Sequence, residues 1–329
     1  MPALSSFLED IAKARRRDPL APVTVIVPSH VAGIQLRRRL AEIGSFAGVR
    51  FETLPRLAEL LGAASLAQAG RAPLARPIGD YLAAQIAREA RADLADVRDL
   101  PGFARVLRQT FQRLRRGGFH RAEEVPIALG SGLLGEVVRL YGLFRAASSD
   151  FYDDEDLLDA ATDAVNERRS ALLDELGDVY VLPPGALSAG AERLLTALRR
   201  AVGAAHYRTI EDMASTAESS FVLAPDPASE AREVAREVLQ ALEDGCGLHE
   251  VAVFHGADSS YRALLDAAFE GAGIPIAAMP GTPLSETPAG RGVLALAELP
   301  VHDYSRTLTM DCLSLAPLRP VLPAENGSV

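Results

Sequence analysis

Five residues gather most of the binding chemistry that this sequence offers. Ser29 and His30 follow the β-branched run Val23-Thr-Val-Ile-Val27, Thr53 closes the alternating run Val49-Arg-Phe-Glu-Thr53, and Arg38 and Arg39 lie in the helical stretch between. Hydroxyl and imidazole donors at strand ends stand where open α/β sheets bind ligands, and with arginine nearby they suit an anionic sugar-phosphate. Ser29 and the arginines have a structural reading too. Ser29 is placed to cap a helix beginning near Val31. Arg37, Arg38 and Arg39 fan over roughly 200° of a helix, so at most two of them face one groove.

Other constellations point away from catalysis. Asp153, Asp154, Glu155 and Asp156 have the oxygen ligands a hard cation takes, but acidic residues in a first helical turn favour the macrodipole without an ion, and a helix start is the preferred reading. The 6 histidines include no i, i+4 pair, and Cys246 and Cys312 are far apart with no CxxC, so neither a metal site nor a disulfide framework is expected. There is no GxSxG. The single lysine, Lys13, is preceded by no glycine and followed by Ala14, which excludes the phosphate loop GxxxxGK[ST]. It also excludes a nuclease Asp…(Asp/Glu)-x-Lys set within this chain.

The elements that must position these residues read as βαβα. A strand at 23–27, bounded by Pro22 and Pro28, follows an amphipathic helix over about 4–17, and a second strand at 49–53 leads into a helix from Leu54. From 63 to 149 strand signals vanish, leaving Ala/Leu/Arg-rich helices broken at Pro77, Pro101, Gly117-Gly118 and Pro126, an all-helical insertion. Strand character returns at 178–182, then a Ser188-led helix and a strand near 205–208. A polar linker, Glu211 to Ser220, precedes a second α/β unit with strands expected at 221–224, 250–254 and 273–276 and helices between. The expected fold is α/β, with two parallel-sheet cores arranged as 1–62, 63–149 (insertion), 150–212 and 219–286. Residues 287–329 open a second helical insertion.

At 329 residues with 48% hydrophobic content, the chain is long enough for two cores and too apolar to be disordered. Its net charge of -10 conceals a division: residues 1–146 carry 22 Lys and Arg against 14 Asp and Glu, and residues 147–329 carry 12 against 30. The basic first stretch suits a phosphate backbone, and on charge alone it equally suits solvated helix faces in an arginine-rich protein. Met1 to Leu20 is charged and has no apolar run for a signal or a span, so a cytoplasmic protein with no membrane partner is expected.

The order of segments resembles superfamily 1 helicases of the UvrD/RecB group, and more closely the AddB-like proteins associated with PD-(D/E)XK exonucleases. In the first half the matching pieces are Val25-Ile-Val-Pro-Ser-His30, Val49-Arg-Phe-Glu-Thr-Leu54 with Leu57-Ala58, and Asp150-Phe-Tyr-Asp-Asp-Glu-Asp-Leu-Leu158. In the second they are Ala224-Pro-Asp-Pro-Ala-Ser-Glu-Ala-Arg-Glu-Val234, Glu250-Val-Ala-Val-Phe254, Tyr261-Arg-Ala-Leu-Leu265, Ala272-Gly-Ile-Pro275, Pro283-Leu-Ser-Glu-Thr-Pro-Ala-Gly-Arg291 and Asp303-Tyr-Ser-Arg306. The resemblance implies two RecA-like cores and DNA contacts at Ser29, His30 and Thr53; Arg38 and Arg39 join them as candidate DNA contacts on charge alone, a solvated helix face being the alternative. The motor is absent from it: besides the missing phosphate loop, Val179-Tyr-Val-Leu-Pro-Pro-Gly185 lacks the magnesium-binding Asp-Glu pair, and His255-Gly256 stands where active relatives carry an arginine. The expectation is a non-catalytic helicase-like region of a repair or recombination helicase-nuclease, with no cofactor. It would bind single-stranded or tailed DNA or a helicase or nuclease partner subunit, any exonuclease domain lying beyond residue 329. The alternative is a docking module that binds protein and no DNA.

Overall fold

The computed structural model describes residues 2–18, 20–44, 47–100, 102–126, 132–182, 185–209, 220–256, 261–277 and 284–315. Most of the expected linker (211–219), Pro183 and Pro184 of the loop after the 178–182 strand, and the closing stretch 316–329 lie outside the described residues. The chain divides into two compact units, 1–215 and 216–329.

In the first unit, α1 (Pro2–Arg17) leads to β1 (Val23–Val27), α2 (His30–Ile43), β2 (Val49–Thr53) and α3 (Leu54–Gln68). After the excursion described below come α7 (Asp154–Asn166), α8 (Leu172–Glu175), β5 (Asp178–Val181), α9 (Ala189–Val202) and β6 (Tyr207–Thr209). The four strands form one parallel sheet in the order β2-β1-β5-β6, with Val27 opposite Thr53, Val23 opposite Asp178 and Tyr180 opposite Arg208. Every residue of β1 is buried, as a central parallel strand covered on both faces requires. Its one polar side chain, Thr24, donates to the Leu176 carbonyl at 2.8 Å.

Side chains alternate across the strand and build two cores. Val23, Val25 and Val27 pack with Phe7 and Ile11 of α1 and Leu36 and Leu40 of α2. Ile26 turns to the opposite face, toward Leu57 and Leu61 of α3, Leu158 and Ala161 of α7, and Leu194 and Leu198 of α9. Helices thus cover both faces of the sheet. Helices α3 and α7 touch backbone to backbone at Gly62, where a β-carbon would stand 2.7 Å from the Ala161 nitrogen and 2.9 Å from the Leu157 carbonyl oxygen.

The excursion contains β3 (Ala72–Pro73), α4 (Arg76–Arg88), α5 (Phe103–Arg116), α6 (Leu133–Ala147) and β4 (Phe151–Tyr152). Its helices share a core of their own, with Phe111 centred 5.7 Å from Tyr141 and 5.1 Å from Phe144. The stretch is not all-helical: β3 pairs in parallel with β4, Ala72 opposite Phe151 and Pro73 opposite Tyr152, and so ties the two ends of the excursion together. A two-residue strand containing proline carries no periodicity to read.

The second unit corrects the expectation more sharply. Helices α10 (Pro227–Glu243) and α11 (Tyr261–Gly271) pack Ala231, Ala235 and Val238 against Leu265 and Phe269, and α12 (Pro288–Glu298) and α13 (Arg306–Leu315) follow. Among its described residues there is no strand, so 221–224, 250–254 and 273–276 form no ladder. Phe221 is 99%, Leu223 100% and Phe254 93% exposed. Apolar and β-branched composition signals a half-buried pleated surface, but a strand exists only against a hydrogen-bonded neighbour and a covering layer. The described residues are therefore mixed α/β, with a four-stranded parallel sheet and the two-stranded β3–β4 pair.

Candidate functional site

The carboxyl edge of the sheet brings Ser29, His30 and Thr53 together. Strands β1 and β2 end side by side at Val27 and Thr53, and the connection from β1 to α2 is only Pro28 and Ser29. Ser29 is extended at φ -153°, and its Oγ accepts from the Ala32 N–H at 3.1 Å. Thr53 does the same for α3, accepting from the Arg56 N–H at 3.4 Å. Two capped helix N-termini therefore start next to each other, with the exposed imidazole of His30 opening α2. Capping uses the acceptor side of each hydroxyl and leaves its proton free to donate.

Arg38 and Arg39 are not part of that edge. They are exposed, eight and nine residues along α2 from His30, a rise of about 12–14 Å. The arginine in line with His30 is Arg37: seven residues bring it within about 20° of the same helix face. Its Cζ lies 5.4 Å from the centre of the Phe51 ring on β2, a cation–π contact that holds the guanidinium over the edge strand. The seven-residue spacing from His30 is the signal in the sequence that points to Arg37.

Strand order reverses between β1 and β5, the point at which open sheets leave a crevice. The Leu182 N–H donates to the Ile26 carbonyl at 2.8 Å there. In the loop that follows, Ala186 accepts from Arg116 at 3.3 Å and Ser188 caps α9, its Oγ accepting from Ala191 N–H at 3.2 Å. Gly118 completes this docking, since a β-carbon at Gly118 would stand 3.1 Å from that of Ala189. The helical excursion is thus seated on the carboxyl edge.

The acidic segment begins α7, with Asp153 as N-cap in a capping box with Asp156: Asp156 N–H donates to Asp153 at 2.9 Å and Asp153 N–H to Asp156 at 3.1 Å. What the sequence did not disclose is its partners. Arg115 of α5, 3% exposed, donates from Nε and Nη2 to the two Asp153 oxygens at 2.8 and 2.9 Å, and from Nη2 to Asp156 at 2.7 Å. Arg71 reaches Asp156 at 2.8 Å and Arg145 of α6 reaches it at 3.3 Å. Burial pulls the Arg115 pKa down, but hydrogen bonding and the charges of Asp153 and Asp156 outweigh it, and the net shift is upward. Burial likewise raises the Asp153 carboxyl, and Arg115 more than reverses this, holding it below its ordinary value.

Beside this pair, His120 has Nδ1 3.1 Å from Asp159 and 2.8 Å from Arg115, with Nε2 3.3 Å from Arg193. Glu155, 5% exposed, keeps one oxygen, Oε2, without a hydrogen-bond partner. Burial raises its pKa and the Asp153 charge adds to the rise, against a hydrogen bond from Ser188. This arrangement is an interlock in which guanidinium groups occupy the aspartates. Among the described residues no group of three or more His, Cys, Asp or Glu could hold a metal.

At the remaining positions, β5 ends in Val181 with no carboxylate on its last residues, and exposed His255 has Nδ1 2.9 Å from the Gly256 carbonyl. No described helix is long and apolar enough to cross a membrane. No family model matches the chain, and no curated protein matches it.

Proposed function

We propose that this chain is a non-catalytic, helicase-like region of the AddB-like type, which binds single-stranded or tailed DNA, or a motor or nuclease partner, without turning over ATP. The observation that carries the reading is the two-residue connection between Val27 and His30. A nucleoside triphosphate needs a loop of about eight residues whose backbone N–H groups wrap the phosphates and whose lysine reaches them. Here the chain passes directly from strand to capped helix, and the one lysine is on α1. Support for a RecA-like ancestry comes from the parallel sheet with β1 at its centre, helices on both faces and a helical excursion between β2 and β5. The basic balance of residues 1–146 supports an anionic polymer as ligand. The cytoplasm is the compartment this reading implies.

The test is fluorescence anisotropy with single-stranded and tailed duplex DNA at low salt, alongside an ATPase assay. Salt-sensitive binding without ATP hydrolysis is expected, and no binding to any tailed duplex would remove DNA from the proposal.

Protein docking is the second reading, and exposed Phe221, Leu223 and Phe254 favour it for the second unit, since apolar groups this exposed suit a partner's cover. Co-purification with a helicase or nuclease subunit in the absence of DNA binding would select it.

A further inference from the structure

Helix α5 carries five arginines and no acidic residue. Two of them turn inward: Arg108 pairs with Asp80 of α4, and Arg115 with Asp153 and Asp156. The other three, Arg105, Arg113 and Arg116, share with Gln109 and Gln112 an arc of about 100° at 3.6 residues per turn. All five are exposed, and Arg105 and Arg113 have no ion-pair partner among the described residues. The arc contains no apolar side chain. From Arg105 to Arg116 it runs about 16 Å along the helix. Its carboxyl end is fixed where Arg116 donates to the Ala186 carbonyl, in the loop after β5, so the stripe leads onto the sheet edge that holds Ser29, His30 and Thr53.

We propose that this stripe is a second nucleic-acid contact, which binds the phosphate backbone of a single strand passing from α5 to the sheet edge. Guanidinium forks match phosphate oxygens in two-point hydrogen bonds, and glutamine amides add donors for phosphate and sugar oxygens. A polymer with a phosphate at every residue fits donors repeated at each helical turn over this length. An acidic protein fits less well, because protein interfaces are centred on aromatic or aliphatic anchors and this arc has none. With no aromatic side chain for stacking, recognition is independent of sequence. The inference rests on the DNA reading above and adds the place where the strand is held.

The test uses the full chain and a fluorescein-labelled single strand of about 20 nucleotides, titrated between about 50 and 200 mM salt. At about 0.7 in the log–log salt slope per phosphate contact, the double variant R105Q/R113Q is expected to lower the slope by about 1.4 and to weaken low-salt binding about tenfold or more. The variant Q109E/Q112E keeps every arginine, places two carboxylates in the stripe, and is expected to weaken binding in the same direction. Unchanged melting temperatures establish that both variants remain folded. Wild-type binding that neither variant alters overturns the stripe and leaves the sheet-edge reading standing; no binding by the wild type overturns both. Polyglutamate competing as well as unlabelled strand would assign the stripe to an acidic protein and overturn its assignment to nucleic acid.

Discussion

Arg115 of α5, itself buried, grips both carboxylate oxygens of part-buried Asp153, the residue that caps α7, at 2.8 and 2.9 Å, and so helps join the helical excursion to the sheet-bearing core. Removing Arg115 takes away both short hydrogen bonds to Asp153 and leaves that carboxylate, among the described residues, with only the longer ion pair to Arg145, at 3.5 Å. Arg115→Ala is expected to cost about 3–5 kcal/mol in urea denaturation, far more than an exposed arginine such as Arg113 would. Arg115→Lys should recover only part of this, because an ammonium cannot make the two-point contact.

The neighbouring carboxylates give this junction a two-sided pH dependence. The Asp153 pKa is depressed below its ordinary 3.8 by Arg115, despite burial, so the stability it contributes is complete above that value and is lost as pH falls through the lower folded value. Glu155 has the opposite sign. Its pKa is raised above 4.5 by burial first and by the Asp153 charge second, so the folded state holds the proton longer and stability declines as pH rises from 4.5 through the raised value. In thermal melts across this range Glu155→Gln should flatten the decline above 4.5, whereas Asp153→Asn should flatten the fall at the acid end.

Gly177 stands immediately before β5 with φ +62°, and a β-carbon there would lie 1.8 Å from the Pro22 carbonyl oxygen, the acceptor of the Asp178 N–H. Gly177→Ala must therefore separate β5 from the start of β1 as well as strain the backbone, at an expected cost of about 2–4 kcal/mol. Gly203 is the internal control: φ is +86° and nothing lies within 4 Å. Gly203→Ala should cost the backbone strain of a glycine-only conformation without a clash, about 1–3 kcal/mol. Equal losses in the two variants would show that the Pro22 contact is unimportant.

Legibility followed how local each signal was. The strands β1, β2 and β5 were readable because β-branched runs between prolines or turn residues need no distant partner to be recognised, and the acid-rich start of α7 was readable as a cap. What Arg115 does was not readable, since its partners are 38 and 41 residues away and depend on how α5 packs. The strands expected in the second unit failed for the same reason in reverse. Phe221 and Phe254 look like core residues in composition, yet among the described residues no hydrogen-bonded strand receives them. At the sheet edge Ser29 and Thr53 are legible as strand-end hydroxyls, whereas the preference for Arg37 over Arg38 and Arg39 is not, because its place over Phe51 depends on the register of a neighbouring strand.

Capping and ligand contact make different demands on Ser29, and substitution can separate them. As the N-cap of α2 its hydroxyl satisfies Ala32, so Ser29→Ala should cost about 1 kcal/mol, while Ser29→Gly, a tolerated cap, should cost only a few tenths. If the same hydroxyl also donates to a bound strand, both variants lose DNA affinity to the same extent although only one loses stability. Affinity that instead tracks stability across the pair would reduce Ser29 to its cap. His30 gives the complementary case: it is exposed at the first position of α2 with no partner among the described residues, so His30→Ala should leave the melting temperature nearly unchanged, within about 0.5 kcal/mol. A fall of several-fold in DNA affinity with that stability intact assigns the edge to ligand binding. No change for His30→Ala, Ser29→Gly and Thr53→Ala together would mean that the edge serves only to start two helices.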